Sequence, residues 1–138
     1  MVVDASVAIK WLVPEDDFEK ALDIADKHQL IAPQLIYAEC ANIVWKKVRR
    51  GEMTAQEAVD ASMFIDTFHV RTVSLRELVP TALELSLHLD HSAYDCFYFA
   101  LAVLENCPFL TADKKLRDKI IAKLGAKEAE RCFLLNSL

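Results

Sequence analysis

Four carboxylates in this chain stand where charge is expensive. Asp4 follows Val2 and Val3, and Asp113 closes the apolar run Phe109-Leu110-Thr111-Ala112. Glu39 is the only charged residue among the eleven from Leu35 to Trp45, and Asp95 is the only one among the thirteen from Ser92 to Leu104. An ionised carboxylate on an apolar surface costs several kcal/mol unless something pairs with it. Neither Glu39 nor Asp95 has a Lys or Arg within one helical turn. Any one of these acids could cap a helix or reach a distant Arg, and Glu84 and Asp66, which also stand alone among apolar neighbours, are given no role. Four together point to an external cation. An all-oxygen cluster suits a hard, octahedral, partly hydrated ion such as Mg²⁺ or Mn²⁺. Two such ions about 3.5 to 4 Å apart can generate a hydroxide on one side of a phosphodiester and stabilise the departing oxygen on the other. Without metal, converging carboxylates repel by about 4 kcal/mol per close pair at 4 Å and an effective dielectric near 20, which should raise their pKa values.

The elements must bring these acids together. Val2-Val3 reads as a strand ending at Asp4, followed by a turn at Ala5-Ser6 and a short helix through Trp11 that stops before Pro14. Residues 16–28 carry apolar side chains at helical spacing, Leu30-Ile31-Ala32 is a short strand, and Gln34 to Arg50 is a long helix ended by Gly51. Thr54 caps the next helix with Glu57 in a capping box, and that helix runs to about Asp66. A strand follows at His69 to Val73, then a helix from Ser74 to His88 with Pro80 near its start, and another from about Ser92 to Glu105. Pro108 to Thr111 is a strand, Asp113 to Lys123 a basic helix, and Cys132 to Leu135 the last strand. Strands alternating with helices predict an α/β fold, a mainly parallel sheet sandwiched by helices. Ligands collect outside the carboxyl ends of its strands, where Asp4 and Asp113 lie.

Composition narrows the alternatives. The 138 residues, 54% hydrophobic and 27% charged, suit one globular domain, residues 1–138. The longest strongly apolar run free of charge, Cys96 to Leu104, is far short of the roughly 20 residues that cross a bilayer. Asp4 interrupts any secretory signal at the start, so a cytoplasmic protein is expected. A net charge of −5 excludes gripping nucleic acid by bulk charge. With only Gly51 and Gly125 as glycines, neither a P-loop nor a dinucleotide fingerprint can be written. Cys40, Cys96, Cys107 and Cys132 show no CxxC spacing and read as buried free thiols.

The chain resembles the PIN-domain ribonucleases, in particular the VapC-type toxins of prokaryotic toxin–antitoxin pairs. The resemblance rests on Met1-Val-Val-Asp4-Ala-Ser6, Tyr37-Ala-Glu39, His91-Ser-Ala-Tyr-Asp95-Cys-Phe-Tyr-Phe-Ala-Leu-Ala102 and Leu110-Thr111-Ala-Asp113-Lys-Lys-Leu116, in that order over nearly the whole chain. It implies a PIN-like three-layer α/β/α sandwich. It also implies Mg²⁺- or Mn²⁺-dependent endoribonuclease activity of two-metal type, with Asp4, Glu39, Asp95 and Asp113 as catalytic and metal-ligating acids and Ser6 and Thr111 as supporting hydroxyls. Asp4 and Asp95 would be the principal ligands, and Tyr98 lies one turn beyond Asp95. The implied partners are an RNA substrate, a cognate antitoxin and a second copy of the chain.

Dense positive charge occurs only at Lys46-Lys47-Val48-Arg49-Arg50 and at Lys114-Lys115-Leu116-Arg117 with Lys119. The first group reads as a solvated helix face. Lys114, Lys115 and Arg117 follow Asp113 closely enough to hold substrate phosphates beside the acids. Rival readings are weaker. The histidines at 28, 69, 88 and 91 form no acid–base pair, and His91 reads as a solvated neighbour of a helix cap. A phosphatase with Asp4 as nucleophile lacks its second aspartate, because Ser6 stands there. A different class, a catalytically inactive PIN-like RNA- or protein-interaction module, would have no need of all four acids. Trp11, Leu12, Trp45 and Phe64 offer apolar helix surface for a partner, although core burial would account for them equally.

Overall fold

A computed structural model describes residues 1–14, 16–64, 67 and 70–138. Strand β1 (Val2–Val3) is buried and passes directly into helix α1 (Ala5–Leu12), whose first turn Asp4 caps. Asp and Asn serve this position because a short side-chain oxygen reaches the orphan amides of the first turn. Helix α2 (Phe18–Lys27) is tied to α1 by the Trp11 indole N–H, which donates to the Ala21 carbonyl at 2.8 Å. Strand β2 (Ile31–Pro33) leads into α3 (Leu35–Arg49). Gly51 ends that helix as expected, taking a left-handed φ of 73° while the amides of Gly51 and Glu52 return to the carbonyls of Val48 and Lys47.

Helix α4 (Ala55–Ser62) opens with the expected capping box: the Thr54 amide donates to Glu57 Oε2 at 2.7 Å and the Glu57 amide to Thr54 Oγ1 at 3.2 Å. The helix stops at Ser62, with Met63 and Phe64 in a turn, short of the expected end near Asp66; positions 65 and 66 and the expected strand start at His69 lie outside the described residues. Strand β3 spans Arg71–Val73 and α5 spans Leu75–Leu89, running on through Pro80. Helix α6 (Ala93–Leu104), strand β4 (Phe109–Thr111) and α7 (Lys114–Lys123) agree with the sequence reading. Helix α8 (Ala126–Glu130) was not anticipated; five residues without a side-chain cap leave almost no periodic signal. Strand β5 (Cys132–Leu134) is followed by a 3₁₀ turn, Leu135–Ser137.

All pairings are parallel, in the order β3-β2-β1-β4-β5. Helices α1 to α4 pack among themselves, as do α5, α6 and α7, so the sheet lies within a three-layer α/β/α arrangement. Val2, Val3, Phe109 and Leu110 of the two central strands are fully buried against Phe99 and Leu101 of α6. From β1 the chain builds outward to β2 and β3, then returns to the other side of β1 to add β4 and β5. That reversal leaves a crevice at the carboxyl ends of β1 and β4, because the connections leaving the two strands diverge.

Two expectations about burial need correcting. Only one face of α3 is buried, through Ile36, Cys40 and Val44, so Glu39 stands on a half-exposed helix rather than a largely buried one. Trp11 is core, but Trp45 and Phe64 are 58% and 57% exposed. Cys40, Cys96 and Cys132 are buried free thiols, as read, while Cys107 is half-buried. Burial pushes the thiols of Cys40 and Cys132 up to about 12, which keeps them protonated at neutral pH. Among the described residues no helix is long and apolar enough to cross a membrane.

Candidate active site

The crevice holds a cavity of about 200 Å³ lined by Asp4, Glu39, Asp95 and Asp113, together with Ser6, Asn42, Lys46 and Tyr98. Four elements deliver the four acids: Asp4 ends β1, Glu39 stands on α3, Asp95 lies in the first turn of α6, and Asp113 follows β4. The distant sequence positions meet because β1 and β4 are neighbours and because α3 and α6 both approach the same end of the sheet.

Asp4 is the most enclosed of the set, 7% exposed. Its Oδ1 accepts from Ser6 Oγ at 2.5 Å and from the Val7 amide at 3.1 Å. Ser6 Oγ in turn accepts from the Ala112 amide at 2.8 Å, so one hydroxyl ties the end of β1 to the loop after β4. Thr111 Oγ1 accepts from the Asp113 amide at 2.8 Å and lends Asp4 a further hydrogen bond. Asp113 caps α7 through Oδ1, which accepts from the amides of Lys115 and Leu116 at 2.8 and 3.1 Å. Asp4 and Asp113 are therefore helix caps as well as cavity walls, and in each the cap uses Oδ1. Among the described residues Glu39 and Asp95 cap no helix. Glu39 Oε2 accepts a 2.5 Å hydrogen bond from the buried Tyr98 hydroxyl, so Tyr98 is both core and cavity wall.

Burial pushes the Asp4 carboxyl up to about 6, against hydrogen bonds from Ser6, Thr111 and Val7 that pull it down. Glu39 and Asp95 are raised for the same leading reason, desolvation, with the Tyr98 hydroxyl opposing it at Glu39 and the His91 charge at Asp95. Repulsion between the acids contributes, from Glu39 on Asp4 and from Asp113 on Asp95, but it is secondary. The expectation that repulsion dominates is thus reversed: lost hydration at the foot of a crevice outweighs charges spread around its rim. A cavity in which Asp4, Glu39 and Asp95 resist ionisation is one whose charge a cation would stabilise, and its all-oxygen acid set fits Mg²⁺ or Mn²⁺. Tyr98→Phe removes the hydroxyl that donates to Glu39 and should destabilise the protein by about 1 to 3 kcal/mol at neutral pH, read from urea melts. An unchanged midpoint would mean that water replaces the hydroxyl without loss.

Three residues in or beside the site were not foreseen. Lys46, taken from sequence as part of a solvated face, reaches the cavity wall, and so does Asn42 one turn before it. His91 is not solvated: its side chain is 13% exposed, with Nε2 3.0 Å from Asp95 Oδ2 and 4.0 Å from Asp113 Oδ2. A helical wheel through Glu39 places 42, 43 and 46 on its face, which was the available signal for the first two. Of the basic group after Asp113, Lys114 and Lys115 are exposed and stand outside the cavity lining. Arg117 is half-buried and its charge acts on the Cys132 thiol.

Fold and site together define an α/β protein that gathers acids at the switch point of a parallel sheet. The family model of the PIN domain matches residues 1–120, and the chain belongs to that family. It is 32% identical over 125 residues to "Ribonuclease VapC3" of Pyrobaculum aerophilum, covering 88% of this chain and 95% of that protein. It is 30% identical over 118 residues to "Ribonuclease VapC9" of Mycobacterium tuberculosis, covering 86% and 89%. Among solved structures, the Pyrobaculum aerophilum protein PAE2754 superposes with a TM-score of 0.72 at 18% identity over 99% of this chain and 90% of that one. VapC20 of Mycobacterium tuberculosis, described as a toxin cleaving the sarcin–ricin loop, superposes at 0.64 with 17% identity over 85% and 92%. At these identities the two structures share the fold.

Proposed function

We propose that this protein is a VapC-type endoribonuclease that hydrolyses RNA phosphodiester bonds with Mg²⁺ or Mn²⁺ held by Asp4, Glu39, Asp95 and Asp113. The observation that carries the reading is the convergence of those four acids, from four elements, on one cavity at the carboxyl edge of the sheet. The ions would supply a water-derived nucleophile at neutral pH and compensate charge on the leaving oxygen.

The chain's own residues do the rest. Ser6 and Thr111 lock the Asp4 carboxylate and the loop after β4 into one arrangement, so the acids are presented with little reorganisation. Tyr98 fixes the rotamer of Glu39. Lys46 on the cavity wall, with Lys114 and Lys115 exposed directly after Asp113, places local positive charge for RNA phosphates on a chain of net charge −5. No side chain need act as a nucleophile.

In this reading the protein works in the cytoplasm, where its substrate is, pairs with a second copy, and is held in check by an antitoxin. The decisive experiment incubates purified protein with single-stranded and looped RNA in Mg²⁺, in Mn²⁺ and in EDTA, and analyses the ends. Cleavage only with metal, leaving 5′-phosphate and 3′-hydroxyl ends, is the expected result. Cyclic phosphates that persist in EDTA would overturn it, since they require attack by the RNA 2′-oxygen.

A further inference from the structure

His91 stands beside two of the acids without a part in the proposed acid set, and its setting is built. Asp90 ends α5 in a left-handed conformation, φ 51°, which turns the chain towards the start of α6. Ser86 then holds the His91 backbone from both sides: the His91 amide donates to the Ser86 carbonyl at 3.2 Å and Ser86 Oγ donates to the His91 carbonyl at 2.6 Å. The imidazole is thereby pressed against Asp95 and Asp113. Its Nε2 is shut off from solvent and stands at ion-pair distance, 3.0 Å, from Asp95 Oδ2. The ring nitrogen therefore faces two carboxylate oxygens, at 3.0 and 4.0 Å, from one side of the crevice. One atom from each of His91, Asp95 and Asp113 lies within 4.8 Å of the other two. Ligands about 2.1 Å from a common ion stand about 3 Å apart when adjacent and about 4.2 Å apart when opposed, so the spacing suits one cation.

We infer that His91, Asp95 and Asp113 form a cation position with a nitrogen ligand, selecting a first-row transition ion such as Mn²⁺ over Mg²⁺. Carboxylate oxygens serve either ion, whereas imidazole suits transition metals and contributes little to Mg²⁺, which prefers oxygen. The acids are already anchored for this: Asp113 spends Oδ1 on the α7 cap, leaving Oδ2 on the His91 side, and Asp95 turns Oδ2 to the imidazole. The inference deepens the metal-dependent reading above and rests on it.

The test is pulsed electron paramagnetic resonance of Mn²⁺ bound to the full chain, beside Mn²⁺ and Mg²⁺ titrations. The wild type is expected to show nitrogen coupling to Mn²⁺ that changes on ¹⁵N-histidine labelling and is lost in His91→Gln. The same variant should bind Mn²⁺ about tenfold or more weakly, with its Mg²⁺ affinity changed far less. The labelled wild type decides nitrogen ligation even if His91→Gln fails to fold, and His91→Ala provides a second variant. Tight Mn²⁺ binding without nitrogen coupling, or coupling that survives in both variants, would overturn the inference and leave the acid site standing. Failure of the wild type to bind either ion would overturn the metal-dependent reading itself, and His91 as a ligand with it.

Discussion

Asp95→Asn should lower RNA cleavage by about a thousandfold or more while leaving the fold intact. Asparagine keeps the shape of the side chain, and position 95 is half-exposed in the first turn of α6, so no core contact is lost. What goes is the negative charge and part of the ligand strength. A cation that contributes about 4 kcal/mol to stabilising transition-state charge accounts for a factor of that size. Glu84→Gln is the control, an isolated acid on α5 outside the cavity lining. Equal loss in both would mean that the choice of acids was arbitrary. The same pair can be read in cells: wild type expressed alone should arrest growth of a bacterial host, a co-encoded partner should restore it, and Asp95→Asn should be harmless without the partner. Arrest by the variant equal to that of wild type would separate the toxicity from cleavage.

The second large effect is on stability. Burial pushes the Asp4 carboxyl from its ordinary 3.8 up to about 6, so between those limits the folded chain holds a proton that the unfolded chain has released. The contribution is fully present below about pH 4 and is lost as pH rises through about 6. Its size is about 3 kcal/mol, and Glu39 and Asp95, also raised, act in the same direction. In EDTA, Asp4→Asn should flatten this slope and be the more stable protein at neutral pH, because the amide oxygen still caps α1 without carrying charge into the crevice. Metal reverses the order. Ions bound only by the native state stabilise it by about 2.7 kcal/mol at a hundredfold excess over Kd, and the variant should lose most of that gain. Melts of both proteins at pH 5 and pH 8, in EDTA and in Mn²⁺, would show it. A wild type indifferent to pH and a variant stabilised as much by Mn²⁺ would make Asp4 a structural cap.

What the chain order determined alone is local. Helix and strand positions follow from apolar spacing, and their ends from residues whose backbone or side chain acts within a turn: Gly51 after α3, and Thr54 with Glu57 before α4. The acids were legible for a related reason. A lone charge in an apolar run is anomalous before any fold is known, and two of the four follow strands, whose carboxyl ends a parallel sheet brings together. The structure decided whatever depends on which side of an element meets which neighbour. Lys46 and Asn42 join the cavity only because α3 buries one face and leaves the face bearing Glu39 beside the crevice. Tyr98 meets Glu39 across 59 residues of chain, a contact that no periodicity encodes. His91 looked solvated because it precedes a helix; a left-handed Asp90 and two hydrogen bonds between His91 and Ser86, one donated by each, turn it inward. Even the cause of the raised carboxyl pKa values changed, from repulsion to burial. Charge spacing can be guessed from a list of acids, but desolvation is a property of the walls around them, and those walls exist only once the sheet and helices have closed.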